Sequence, residues 1–153
     1  MIACTRTFAM AAMIFAAIAS RSAIALVCSF NTAPALGFGN YDVFSATPRT
    51  TSQSISVSCL VPTTMTVSIG ASSTSGSIAN RQMAQAAGSG RLAYNIYRDS
   101  GFTQLWGDGT AGTTPLTLTV VLNTSFTVYG KVDAGQNVPA GTYADTVVIT
   151  INP

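Results

Sequence analysis

The chain has 153 residues, of which 8% are charged: seven Lys and Arg against five Asp, with no Glu and no His. That balance leaves no basic patch for nucleic acid and no polybasic run for a membrane surface. It also removes the side chains most often used for general acid–base chemistry near neutral pH.

In chain order, the N-terminus reads as an export signal. Arg6 supplies a positive start, Phe8 to Ala19 an apolar run, and Ala23-Ile24-Ala25 the small residues a signal peptidase reads. The predicted division is residues 1–25 as signal peptide and 26–153 as one domain, enough chain for one two-layer core. The apolar run falls short of the roughly 20 residues a spanning helix needs, and Arg21 interrupts it. No membrane span is therefore expected in the mature form. Removing Arg6 and Arg21 leaves five basic groups against five aspartates, so the mature charge is near zero.

Cys4 leaves with the signal, and Cys28 and Cys59 remain. Two cysteines in an exported chain are expected to form a disulfide. Closing that loop is worth roughly 3–4 kcal/mol in the chain-entropy picture. A metal site or a thiol nucleophile needs partners such as His, which the chain lacks, so no metal and no cofactor are expected.

The rest alternates with a period of two. Ile55, Val57 and Cys59 oppose Ser54, Ser56 and Ser58; Met65, Val67 and Ile69 oppose Thr64, Thr66 and Ser68. Leu92, Tyr94 and Ile96 oppose Ala93, Asn95 and Tyr97; Leu116, Leu118, Val120 and Leu122 oppose Thr117, Thr119, Val121 and Asn123. Phe126 and Val128 face away from Thr127 and Tyr129, and a last strand sets Tyr143, Val147, Ile149 and Ile151 against Ala144, Thr146, Val148 and Thr150. Such alternation predicts half-buried strands. Gly88-Ser89-Gly90, Gly107-Asp108-Gly109 and Pro139-Ala140-Gly141 supply turns between them. Ile78 to Ala87 is the one stretch that could form a turn or two of helix. Many short strands and one staple predict an all-β, two-sheet sandwich.

The outward positions are Ser and Thr where a lone monomer normally carries charge to stay soluble and blunt its sheet edges. Together with a final strand that runs to Pro153, this points to pairing with a partner strand. A Ser/Thr-rich extracellular domain with no special assembly is the alternative that composition leaves open.

A series of motifs then enters in fixed order. Phe38-Gly39-Asn40-Tyr41-Asp42 follows Cys28, and Arg81-Gln82-Met83 precedes Tyr94, Tyr97 and Asp99 in one strand and its turn. Trp106-Gly107-Asp108-Gly109, Tyr129-Gly130, Gln136 and Gly141-Thr142-Tyr143-Ala144-Asp145 complete it. In order and spacing the chain, over essentially all of residues 26–153, resembles the spore coat protein U domain family, which includes subunits of archaic, Csu-type chaperone–usher pili.

The resemblance implies an incomplete immunoglobulin-like sandwich that lacks its own last strand. It implies a groove filled first by a periplasmic chaperone and then, at an outer-membrane usher, by a neighbouring subunit's extension. Phe30, Leu36 and Phe38 are expected on one side of that groove, and Tyr143, Val147, Ile149 and Ile151 on the other. A shaft subunit of this type carries a donor segment before its first cysteine. Here only Leu26 and Val27 precede Cys28 in the predicted mature form, and two residues span about 7 Å. The expectation is a chain that receives a strand and gives none: a subunit at the distal end of a fibre, or a coat protein that does not polymerise.

Other chemistries carry less weight. Asp99 and Asp108 could be a carboxylate pair for glycoside hydrolysis, but both sit in glycine-bearing turns where Asp serves the backbone. Asp42, Asp99 and Asp108 show no calcium-loop spacing. Arg81 and Arg98 are expected to pair with strand-end aspartates or carbonyls. The expected role is a structural subunit of an archaic chaperone–usher pilus or a spore coat U-type surface protein, folded in the periplasm and displayed at the cell surface for adhesion or biofilm formation, and not an enzyme. The alternative is a secreted module that binds a glycan or surface through Trp106, Tyr97 and Tyr129, although a lone Trp is more often a core or turn anchor.

Overall fold

The computed structural model describes residues 28–30 and 35–152; the predicted signal peptide, residues 1–25, lies outside them. Among the described residues the chain forms nine strands and no helix. They are β1 (Cys28–Phe30), β2 (Arg49–Cys59), β3 (Thr63–Ile69), β4 (Arg81–Gln85), β5 (Arg91–Tyr97), β6 (Leu116–Val120), β7 (Asn123–Val132), β8 (Tyr143–Ala144) and β9 (Ile149–Asn152). One sheet has the order β1-β2-β7-β5-β4-β8 and the other β6-β3-β9. Every strand pair is antiparallel. The expected all-β sandwich is the observed fold.

Alternation explains the core. Ile55 and Val57 of β2, Met65, Val67 and Ile69 of β3, Leu92 and Ile96 of β5, and Val128 and Val132 of β7 turn inward and are buried. Their neighbours turn outward as hydroxyl pairs. Ser56 meets Ser125 at 2.8 Å and Thr64 meets Thr119 at 2.9 Å, both across register positions of their ladders. The predicted disulfide is present: Cys28 and Cys59 are bonded and are direct partners across β1 and β2.

Four local expectations change. Ile78 to Ala87 is not helical; it contains β4, whose Arg81 and Met83 turn inward while Arg81 to Ala84 pair with Tyr94 to Arg91. Ladder partners and burial on one face outweigh the helix preference of its alanines. The strand expected through Leu122 ends at Val120, and Leu122 lies in the turn at φ 63, 67% exposed, its carbonyl accepting from Cys59 N.

Where the resemblance places a first strand over Phe30 to Phe38, the described residues 35–48 cross the molecule without a strand. The last strand divides: β8 pairs with β4 in the large sheet and β9 with β3 in the small one. Between them Thr146 O accepts from Ser73 N and Val148 O from Gly70 N. The final segment thus changes sheets at residues 145–148.

Candidate functional site

Where the last segment changes sheets, the sandwich is open. A cleft of ≈ 420 Å³ reaches the core between two walls, Leu36 and Phe38 on one side and Val147 and Ile149 on the other. Its floor includes Ile55, Ile69, Ile96 and Val128. β9 runs beside it with β3 as its one strand neighbour. The outer edge of β9 therefore carries backbone donors and acceptors that no strand among the described residues uses.

Of the residues expected to line a groove, Leu36, Phe38, Tyr143, Val147 and Ile149 line this cleft, whereas Ile151 does not. The side chain of Phe30 lies outside the described residues. The alternation of β2, β3, β5 and β7 marked the floor residues as buried but could not say that the core is open above them.

Phe38 is firmly seated. Its ring meets Tyr94 edge-on at 5.9 Å between centroids. It also lies against Gly130, where a Cβ would come within 2.8 Å of it; this is why the Tyr129-Gly130 pair holds a glycine. Arg49 Nε donates to the Phe38 carbonyl at 2.6 Å. Three residues on, Tyr41 donates to Asp133 O at 3.0 Å and accepts from Gln136 N at 2.9 Å. The Gln136 amide accepts from Ala93 N at 2.8 Å and donates to Ala93 O at 2.9 Å, filling in for a strand neighbour at that point of β5.

One wall of the cleft carries a polar cluster around Asp145. Tyr94 OH donates to Asp145 Oδ2 at 2.8 Å, and Asp145 Oδ1 accepts from Ser73 Oγ at 2.8 Å and Thr74 N at 3.1 Å. Burial pushes the Tyr94 phenol well above its ordinary value, and the bond to Asp145 adds to the rise. Burial alone raises Asp145, but hydrogen bonding from Ser72, Tyr94, Ser73 and the Thr146 backbone outweighs it and holds the carboxyl below its usual range. Ser72 and Ser73 carried no signal in the sequence beyond a Ser/Gly-rich connection.

Behind this lies Arg81, wholly buried. Its guanidinium donates to the carbonyls of Ile69 at 3.1 Å, Gly70 at 3.0 Å and Trp106 at 3.0 Å. It joins β4 in one sheet to the end of β3 in the other. The expectation that Arg81 serves carbonyls is met, and desolvation lowers its pKa.

The remaining motif residues build turns and packing. Trp106 is 1% exposed and its Nε1 donates to Val67 O at 3.0 Å. It is a core anchor and offers no face to a sugar, which removes the chief residue of the glycan-binding alternative. Tyr97 packs edge-on against Phe102 at 5.5 Å. A Cβ on Gly107 would come within 2.5 Å of Thr113 Cβ, and Gly109 takes φ 98, which only glycine adopts freely.

Asp108 accepts from Thr110 N at 2.9 Å and Thr110 Oγ1 at 2.6 Å, and Asp99 accepts from Gln104 N at 2.7 Å. The bonds from Thr110 hold Asp108 below the ordinary carboxylate range, the reverse of what a general acid requires. Gly141 takes φ 154 beside Gln85, whose Nε2 donates to Ala140 O at 2.9 Å, while Tyr143 OH donates to Pro139 O at 2.7 Å.

Comparison with known proteins agrees with this geometry. The model of the Spore Coat Protein U domain family matches residues 14–150. Protein U of Myxococcus xanthus is 39% identical over 103 residues, 64% of this chain and 57% of that protein, so the chain spans little more than half of that relative's length. Among solved structures, the fold is similar to a chain of the CsuC–CsuE chaperone–tip adhesion subunit pre-assembly complex from archaic chaperone–usher Csu pili of Acinetobacter baumannii. That match has a TM-score of 0.58 at 22% identity and covers 81% of this chain and 38% of the other. By the extent of the family match, this chain belongs to the Spore Coat Protein U domain family.

Proposed function

We propose that this protein is a structural subunit of a chaperone–usher surface fibre and works by accepting a strand into the cleft between Phe38 and Ile149. The observation that carries this reading is an apolar opening to the core beside an edge of β9 that no strand among the described residues pairs with. An extended peptide with apolar side chains at alternate positions supplies both things missing there, a backbone partner and a cover for the floor. In this reading Val147 and Ile149, with Ile151 beyond them, face the incoming strand from one side, and Phe38, beside Leu36, from the other.

The partners are a periplasmic chaperone, an outer-membrane usher and neighbouring subunits. The protein is exported after loss of residues 1–25, folds in the periplasm as residues 26–153, and reaches the cell surface, where it serves adhesion. Its similarity to a chain of a chaperone–subunit assembly of archaic pili supports the chaperone partner.

The test is expression in the periplasm with and without a candidate chaperone, followed by addition of a donor peptide. Co-purification and a peptide-induced rise in melting temperature are expected. A chain that purifies alone, fully folded and unchanged by every peptide, overturns the proposal.

The place at the distal end of a fibre depends on the exported N-terminus. The family match begins at residue 14, ahead of the predicted cut. N-terminal sequencing of the exported protein decides the matter. A start at Leu26 gives a subunit that only receives, and a start near residue 14 supplies a donor segment and removes the terminal role.

A further inference from the structure

A second cleft, of ≈ 610 Å³, runs beneath residues 36–44 towards Leu92, Val132 and Val138. Leu36, Phe38, Met83 and Tyr143 line both this cleft and the first. These four side chains form a septum between two hollows, and they are not held alike. Phe38 is seated on Gly130 and Tyr94 with its carbonyl tied to Arg49. Met83 is 8% exposed within β4. Tyr143 is in β8 and hydrogen-bonded to Pro139.

Leu36 differs. It lies in no strand and is half-buried. Among the described residues, no hydrogen bond holds Ala35, Leu36 or Gly37. A Cβ at Gly37 would meet nothing within 4 Å, so the position beside Leu36 has both open space and glycine's conformational freedom.

We propose that Leu36 and Gly37 form a movable partition in the strand-accepting site. With Leu36 in place, the empty subunit covers part of its apolar floor and limits contact with water. With Leu36 withdrawn, the two hollows connect through the gap it leaves beside Phe38, Met83 and Tyr143. An incoming strand displaces Leu36, puts an apolar side chain of its own there, and touches both hollows, while Phe38 stays as the fixed wall. Exchange of one aliphatic side chain for another of similar volume keeps the packing nearly constant. The inference rests on the strand-accepting reading above.

The probe is a synthetic peptide of alternating valine and threonine, about a dozen residues long, which at ~3.3 Å per residue spans both hollows. It is titrated into the full chain, Leu36→Ala and Phe38→Ala, and amide exchange is followed in the unsubstituted chain. Because the partition must open before binding, Leu36→Ala is expected to bind about three- to tenfold tighter and Phe38→Ala more weakly. Exchange protection is expected to reach Ala140 to Thr142. Weakening by Leu36→Ala like that by Phe38→Ala, or protection that stops at Val147 to Ile149, overturns the partition while leaving strand acceptance intact. Binding to no form of the protein removes strand acceptance and the partition with it. If Leu36→Ala does not fold, the exchange pattern of the unsubstituted chain decides alone.

Discussion

Tyr94 of β5 and Asp145, 51 residues later, are joined by a 2.8 Å hydrogen bond at the point where the final segment leaves one sheet for the other. The bond pins the crossing to the large sheet. Ser73 and Thr74 N pin it to the connection that follows β3. The cleft keeps its far wall because of this pin.

Tyr94→Phe is therefore expected to destabilise the fold by about 1–3 kcal/mol, since a half-buried carboxylate loses a donor and gains none. Urea unfolding of the two proteins measures the difference. The ring of Phe38, which packs on Tyr94, should keep its place.

Acid should loosen the same pin. Asp145 titrates below its ordinary value of 3.8 in the fold, so its contribution to stability is full above that value and is lost as pH falls through the folded pKa. Melting temperature followed from about pH 5 down to about pH 2 should fall, and the fall should be shallower in Asp145→Asn, which cannot titrate.

Replacing Arg81 has a larger cost. Arg81→Met leaves the carbonyls of Ile69, Gly70 and Trp106 without their donor in a buried place. A loss of about 3–5 kcal/mol is expected by denaturant unfolding. Arg81→Lys should recover little, because an ammonium cannot reproduce the planar fork.

Gly107→Ala should cost about 1–3 kcal/mol through overpacking. The added methyl meets Thr113 and Ile78 and has no open side to turn to. Trp106 fluorescence reports the accompanying shift of the core.

Reduction of Cys28–Cys59 should lower stability by about 2–4 kcal/mol, as expected for a link between residues separated by 31 in sequence. Melting with and without a reductant gives the value. The reduced chain should keep its β content, because Ile55, Val57 and their partners remain buried.

The sandwich was legible because period-two alternation needs only local sequence. Ile55, Val57, Met65, Val67, Leu92 and Ile96 were assigned inward from their neighbours alone. The failures lie where tertiary partners decide. β4 was hidden by alanines that favour helix in isolation, and its strand form depends on β5 beside it. The division of the last strand depends on Asp145, whose partners come from two other elements. Trp106 is the core anchor that a lone Trp more often is, but its partner Val67 is a long-range contact that residue order does not give. Of the residues the resemblance names for a groove, Leu36, Phe38, Tyr143, Val147 and Ile149 line the cleft and Ile151 does not. The second hollow and the loose hold on Leu36 could not be named, because neither leaves a trace in residue order.

The disulfide also sets a route for mechanical load. β1 is three residues long and on its own would peel from its neighbour under little tension. A pull on the chain ahead of Cys28 instead passes through sulfur to Cys59, at the end of β2. β2 is in register with β7 from Arg49 opposite Val132 to Ser58 opposite Asn123. Antiparallel bonds lie across the strands, so force along β2 loads that whole ladder in shear rather than opening it one bond at a time.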